Sequence, residues 1–148
     1  MQQQGVIGIG NPLRGDDGVG PRLAEQVGGR SVHQLTPELA AELAPLQRVL
    51  FVDAWPVPPA AAARPLPRLD PLTSACSRGH AGISHHLDPA HLLAITAALY
   101  GRAPRAALLR VPAYAFQHGT EFSPPLLASL PAAQELLQQW LQEGRGDA

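Results

Sequence analysis

Gly8-Ile-Gly-Asn-Pro-Leu-Arg-Gly-Asp-Asp-Gly-Val-Gly20 is the stretch that decides the fold. It overlaps a short β-branched apolar run at residues 5–10 and leads into residues 19–27, where apolar side chains recur at helical spacing. Gly28-Gly29 then supplies a stop for that helix. The stretch is therefore predicted to join a buried strand to an amphipathic helix through a loop.

The rest of the chain continues this alternation of strands and helices. Residues 48–54 are predicted to form a buried strand that ends at an aspartate. The proline-rich residues 56–71 cannot form a central strand, because proline lacks the ladder donor, so an irregular crossing or an edge strand near residues 61–69 is predicted. The other predicted elements are a strand at 31–35, a helix capped by Thr36, a helix from Asp88 and Pro89 to about Tyr100 that buries Leu92, Leu93, Ile95, Thr96 and Leu99, a strand at 106–111, and a final helix that Ser123 caps and Pro131 interrupts.

This order of elements predicts an α/β fold, with three α/β/α layers around a mostly parallel, twisted sheet of about five strands. The 148 residues are enough for one core and too few for two, so a single domain, 1–148, is expected. In such sheets ligands collect beyond the carboxyl ends of the strands.

Composition narrows the class of protein. The formal net charge of −1 argues against a nucleic-acid-binding surface, which needs a basic excess. No apolar run approaches the length of a membrane span, and the N-terminus lacks the pattern of a secretory signal. Cys76 is the one cysteine, so an internal disulfide is impossible. A cytoplasmic protein is therefore expected, with no nucleic-acid partner and no membrane partner.

The glycine loop is a poor phosphate site. A dinucleotide-binding loop needs a third glycine that opens the helix, and here Asp16 and Asp17 would repel a pyrophosphate. One of these two acids is predicted to cap the helix, since carboxylates stabilise helix N-termini. The other is then free for another role.

A second acid and a cluster of histidines accompany this loop. Asp53 ends an apolar strand, where α/β enzymes place working groups, and His85 and His86 stand just before the helix that begins at Asp88. Asp17, Asp53 and one of these histidines are expected to converge from separate loops. Two carboxylates and an imidazole suit a divalent transition metal. Serine or cysteine peptidase chemistry is disfavoured, because no Gly-x-Ser-x-Gly elbow is present and no local pattern activates Cys76.

With these residues in hand, the chain resembles the maturation endopeptidases of nickel–iron hydrogenases. The resemblance rests on residues 8–20, on Val49-Leu-Phe-Val-Asp-Ala54, and on Ile83-Ser-His-His-Leu-Asp-Pro-Ala-His-Leu-Leu93. It implies an α/β/α peptidase that recognises nickel already inserted in a hydrogenase large-subunit precursor and then removes the C-terminal extension of that precursor.

The resemblance also implies roles for individual residues. The catalytic and metal-contacting residues fall on Asp17, Asp53 and His85, with His86 as the alternative to His85. The residues that would shape the loop are Gly10, Asn11 and Asp16. Nickel is expected to arrive with the bound precursor rather than to be held tightly by the free protein, and a monomer is expected. One hypothesis for hydrolysis is that the metal polarises the scissile carbonyl or activates water, while a carboxylate acts as base.

Two other functions remain open at this point. The family usually carries an Asp-Gly-Gly-Thr-like turn after the second strand, whereas residues 33–39 lack a glycine pair, so a non-cleaving chaperone that binds the precursor is one alternative. Gly8-Ile-Gly-Asn-Pro12 also resembles the opening of peptidyl-tRNA hydrolases. That alternative fits less well, because no histidine precedes His33 and the charge balance does not suit a tRNA ligand.

Overall fold

A computed structural model describes residues 3–58, 64–73 and 87–146 of the chain. The strands are β1 Gln4–Ile9, β2 Arg30–Val32, β3 Arg48–Pro56, β4 Arg68–Leu72 and β5 Arg105–Ala113. The helices are α1 Val19–Gln26, α2 Ala40–Leu43, α3 Pro89–Tyr100 and α4 Pro124–Gly146. Short 3-10 helices at Gly15–Gly18 and Pro37–Leu39 precede α1 and α2.

The strands form one sheet in the order β2-β1-β3-β5-β4. The first four of these are parallel to their neighbours, and β4 pairs antiparallel with β5 at the edge. One face of the sheet packs against α1 and α4 through a cluster that includes Leu23, Leu50 and Leu137. The other face packs against α2 and α3 through a cluster that includes Leu43, Phe51 and Leu92. The predicted α/β fold with three layers and a mostly parallel five-stranded sheet is confirmed.

Burial on both faces explains the composition of the central strands. Val49, Leu50, Phe51 and Val52 of β3 are all fully buried, although their side chains alternate between the two faces. A strand with one solvated face would alternate between apolar and polar residues instead. The apolar run therefore indicates that β3 lies in the centre of the sheet.

The edge strand differs from its prediction in position. It was expected near residues 61–69, and it occupies Arg68–Leu72, while residues 61–63 lie outside the described part of the chain. Pro71 is tolerated within it because an edge strand needs ladder donors on one side only. The strand predicted at 31–35 is also shorter and begins earlier, at Arg30–Val32.

Three helix predictions have different outcomes. The cap predictions at Asp88 and Ser123 are confirmed, since Asp88 Oδ1 accepts a bond from the His91 N–H at 2.6 Å and Ser123 Oγ accepts one from the Leu126 N–H at 3.3 Å. The prediction that Leu99 is buried is wrong, because this side chain in the last turn of α3 is 66% exposed.

The prediction that Pro131 interrupts the final helix is also wrong. Proline removes the bond to the Leu127 carbonyl, but α4 continues, because Leu127 lies on an exposed side of the helix where water can bind that oxygen.

The helix start predicted at Thr36 begins as a 3-10 helix rather than an α-helix. Thr36 has an extended backbone and Pro37 follows it as the first helical residue, but the Thr36 side chain makes no cap hydrogen bond. The α-helix itself, α2, begins four residues later at Ala40. Within the described residues, no helix is long and apolar enough to span a bilayer.

The glycines of the opening motif let α1 lie directly on the strands. A Cβ atom at Gly20 would be 2.5 Å from the Val52 carbonyl oxygen and 2.6 Å from that of Ile9. A Cβ atom at Gly8 would be 2.1 Å from the Gly20 carbonyl oxygen. These glycines therefore permit close approach of helix and sheet backbones, which sets the position of the loop between β1 and α1.

We predict that Gly20→Ala lowers the free energy of unfolding by about 3 kcal/mol, because neither strand backbone can move away from the new methyl group. Gly28→Ala is the control. Gly28 has a φ of 73° and open space around it, so the left-handed conformation alone costs roughly 1–2 kcal/mol there. Urea unfolding measures both, and equal losses for the two variants would contradict the close-packing explanation.

Candidate functional site

Asp16 is a fully buried carboxylate that holds together parts of the chain distant in sequence. Its Oδ2 accepts bonds from the Tyr114 N–H at 2.7 Å and the Ala115 N–H at 3.0 Å. Ser123 donates to it twice, from its N–H at 2.8 Å and from its hydroxyl at 2.7 Å. Asp16 thus joins the glycine loop to the segment after β5 and to the first turn of α4.

The prediction that one of the paired acids caps α1 is wrong. Asp16 and Asp17 lie inside the 3-10 helix Gly15–Gly18, and the cap position of α1 is Gly18, which has no side chain to donate or accept. The Asp17 carboxylate instead accepts a hydrogen bond from Asn11 within the loop, and the Asp16 carboxylate accepts bonds from distant donors. For Asp16 these donors lie about a hundred residues later in the sequence, where a local reading cannot see them.

Asp17 is half-buried and is fixed by the loop itself. Its Oδ2 accepts the Asn11 N–H at 2.7 Å, and the Asn11 side chain accepts the Leu13 N–H at 2.9 Å. Gly10 has a φ of 146°, and a Cβ there would be 1.9 Å from the Asp17 carbonyl oxygen. Gly10 and Asn11 therefore determine where the Asp17 carboxylate lies.

Asp53 lies in β3, the strand next to β1, level with the end of β1. It pairs in register with Ile9, the last residue of β1, so it stands where β1 ends, although β3 continues to Pro56. Its Oδ1 accepts the Ala54 N–H at 2.8 Å. Burial raises the pKa of Asp53 to about 7, the bond from the Ala54 N–H opposes this rise, and the negative charge of Asp17 adds to it.

The two acids thus form a coupled pair at the carboxyl edge of β1 and β3. Within the described residues, each carboxylate accepts one hydrogen bond, and this leaves Asp17 Oδ1 and Asp53 Oδ2 for another ligand. A pair of carboxylates that repel each other binds a cation or a proton favourably. Such a pair can hold a divalent metal or act as a general base.

The histidine predicted to complete this site, His85, and its alternative His86 lie outside the described residues. Over residues 3–58, 64–73 and 87–146 no group of three or more His, Cys, Asp or Glu side chains could hold a metal ion. The described chain resumes at Leu87 and Asp88, directly before α3. The pair of acids is therefore the part of the predicted constellation that the structure describes.

A second polar cluster beside the acids was missed by sequence reasoning. Arg110 of β5 pairs in register with Asp53, lies over the Trp55 ring with its guanidinium 5.4 Å from the ring centre, and forms an ion pair with Asp70 at 3.5 Å. Asp70 also pairs with Arg68 at 3.5 Å. A charged residue inside the otherwise apolar segment 106–111 was the available signal, but its neighbours depend on the register of two strands.

The fold is a three-layer α/β/α architecture similar to that of hydrogenase maturation proteases. No family model and no curated protein matches the sequence. Among solved structures, the chain is similar to the NiFe hydrogenase maturation protease HycI of Thermococcus kodakarensis, with a TM-score of 0.68, 20% identity, and coverage of 95% of this chain and 93% of that one. It is also similar to the endopeptidase HybD of E. coli, with a TM-score of 0.69, 18% identity, and coverage of 99% of both chains.

A third similar structure is the hydrogenase 2 maturation peptidase of a Thaumarchaeota archaeon, with a TM-score of 0.63, 18% identity, and coverage of 95% of this chain and 98% of that one. These likenesses extend over nearly the whole of each chain. The resemblance noted in three short motifs therefore extends to the complete fold.

We predict that Asp16→Asn destabilises the protein by about 3 kcal/mol, because the new amide group faces N–H donors and a charge-assisted acceptor is lost. Asp17→Asn is the matched control and should cost about 1 kcal/mol or less, since it breaks one bond of a half-buried carboxylate. Thermal and urea unfolding measure the difference. Equal stability of the two variants would contradict the bridging role of Asp16.

We predict a second effect at Asp53, in metal-free protein. Its pKa of about 7 in the folded state exceeds the ordinary value of 3.8, so the folded state holds a proton that the unfolded state has released. Stability should therefore fall as pH rises from about 4 to about 7, by roughly 2–4 kcal/mol in total. Asp53→Asn should remove this loss and be the more stable protein at pH 8. Parallel pH profiles for wild type and variant would refute the raised pKa.

Proposed function

We propose that this chain is an endopeptidase that removes the C-terminal extension of a hydrogenase large-subunit precursor after nickel has been inserted. The observation that carries the proposal is the coupled pair of Asp17 and Asp53, held at the carboxyl edge of the sheet in a fold shared with hydrogenase maturation proteases. The partner is then the precursor, and the nickel ion is part of the substrate.

The chemistry of the acids fits a metal that arrives with the substrate. Asp17 and Asp53 would each offer one carboxylate oxygen, and His85, or His86, is the proposed third ligand. Before the substrate binds, burial raises the pKa of Asp53, and repulsion by the negative charge of Asp17 adds to that rise. A cation relieves that repulsion, so the site favours a precursor that carries the metal over one that does not.

The hydrolysis itself then requires a Lewis acid, a base and fixed positions for both carboxylates. A nickel ion held by Asp17, Asp53 and His85 would supply Lewis-acid chemistry for hydrolysis of the peptide bond. A carboxylate oxygen of the pair that the metal leaves free would take the proton from the attacking water and return it to the leaving amide nitrogen. The bonds from Asn11 to Asp17 and from Ala54 to Asp53 fix the two carboxylates before the substrate arrives.

The test incubates the purified protein with its cognate precursor, loaded with nickel or free of it, and follows loss of the C-terminal fragment by mass spectrometry. Wild type should cleave the nickel-loaded form only. Asp17→Asn, Asp53→Asn and His85→Ala should each lower the rate by about a hundredfold or more. The control is Glu135→Gln, which changes an exposed residue of α4, and this variant should cleave as wild type does.

Different outcomes overturn different parts of the proposal. A wild-type protein that binds the nickel-loaded precursor and leaves it intact would be a non-cleaving chaperone. Cleavage that persists in all three site variants would refute the site while leaving the peptidase activity in place. Equal cleavage of the nickel-free precursor would refute the role of nickel as a signal.

A further inference from the structure

Four residues form a row across the sheet on the face that packs against α2 and α3. Ile9 of β1 pairs with Asp53 of β3, Asp53 pairs with Arg110 of β5, and Arg110 pairs with Arg68 of β4. Residues that are paired in register on neighbouring strands point to the same face of a sheet. The row therefore runs from Asp53 through Arg110 on β5 to Arg68 on the edge strand β4.

The two arginines share one counter-ion. Asp70 forms ion pairs with Arg68 through Oδ1 and with Arg110 through Oδ2, each at 3.5 Å. The cluster of Arg68, Asp70 and Arg110 therefore carries one net positive charge. Both distances are long for a charge-assisted hydrogen bond, which is usually about 2.7–2.9 Å. Each guanidinium carries five N–H donors, and among the residues that the structure describes Arg68 and Arg110 each donate one side-chain hydrogen bond, to Asp70.

The Arg110 side chain is held in place by Trp55, but one of its N–H donors lacks a hydrogen-bond partner among the described residues. Its guanidinium lies over the ring of Trp55, and the side chain is 38% exposed. Its Nε is buried and has no hydrogen-bond partner within the described part of the chain. An unpaired buried donor costs free energy and is rare in folded proteins, so it calls for an explanation such as a bound group.

Stability does not account for this arrangement. Exposed ion pairs contribute about 0–1 kcal/mol, and the pairs here are half-exposed and long. Arg110 also pairs with Asp70 although Asp53 is its neighbour in the row, so its charge is not used to neutralise the acid. An arginine fork is suited to planar carboxylates.

We propose that Arg110 and Arg68 form a subsite that binds an acidic side chain of the peptide substrate. This inference rests on the proposed function. Neighbouring strands are about 4.8 Å apart, so Arg68 lies about 10 Å from Asp53 along the row, which an extended peptide covers in about three residues. The recognised carboxylate therefore belongs to a residue two or three positions from the scissile bond.

The test measures kcat and KM for cleavage of the nickel-loaded cognate precursor by wild type, Arg110→Gln, Arg68→Gln and Arg30→Gln. Arg30 is the matched control, because it forms a half-exposed ion pair with Glu42 at the same 3.5 Å but lies at the start of β2, away from the acids. Arg110→Gln should raise KM about tenfold, Arg68→Gln should raise it less, and kcat should stay within about twofold, as expected for loss of a binding contact. Arg30→Gln should match wild type.

A second arm identifies the acidic residue. Each Asp or Glu within four positions of the cleavage point of the precursor is changed to its amide, and KM is measured with wild type and with Arg110→Gln. One such substitution should raise KM for wild type and leave it unchanged for Arg110→Gln, because the contact is already absent there. Arg110→Lys keeps the charge and loses the fork, so it should give an intermediate KM and serves if Arg110→Gln does not fold.

The outcomes separate this inference from the proposed function. Cleavage by wild type with equal KM values for Arg110→Gln and Arg30→Gln would overturn the subsite while leaving the peptidase in place. Effects of Arg110→Gln that add independently to those of every acidic substitution would overturn it as well. No cleavage by wild type would overturn the proposed function, and the inference with it.

Discussion

The buried carboxylate of Asp16 is the interaction on which the rest of the site depends. Its four hydrogen bonds connect the loop after β1 with the segment that leaves β5 and with the first turn of α4. A buried charge is tolerable only when it is fully hydrogen-bonded, so these elements cannot separate without a large cost. Asp16 thereby anchors the loop, and within that loop the Asn11 N–H binds the carboxylate of the neighbouring Asp17.

The fold holds Asp17 and Asp53 close together although their negative charges repel each other. Burial raises the pKa of Asp53, and the negative charge of Asp17, in the loop that follows β1, adds to that rise. The close contact of Gly20 with the strand backbones holds the start of α1 where it is, so the loop cannot move Asp17 away. Rigid packing thus preserves a repulsion that only a proton or a cation removes.

Local sequence patterns were sufficient for the strand-loop-helix motif, for the apolar strand that carries Asp53, and for the three-layer fold. They failed where the deciding partner is distant in the chain. The prediction that one of the paired acids caps α1 failed because the donors to Asp16 follow β5 and the donor to Asp17 is Asn11. The prediction of the edge strand missed its position because proline excludes a central strand without fixing where an edge strand begins. The pairing of Arg110 with Asp70 likewise needs the register of an antiparallel strand. Sequence reading therefore placed the acids but not the residues that organise them.

The edge strand β4 has a consequence for the acids. Arg110 stands beside Asp53 in the row, and an ion pair between them would lower the pKa of Asp53 and occupy its remaining oxygen. Asp70, which β4 contributes, provides Arg110 with another partner, and the Trp55 ring supports the guanidinium in that position. A short antiparallel strand at the edge of a parallel sheet thus keeps a cation beside the acid pair without neutralising it, and this allows one face of the sheet to present an acidic site and a basic site side by side.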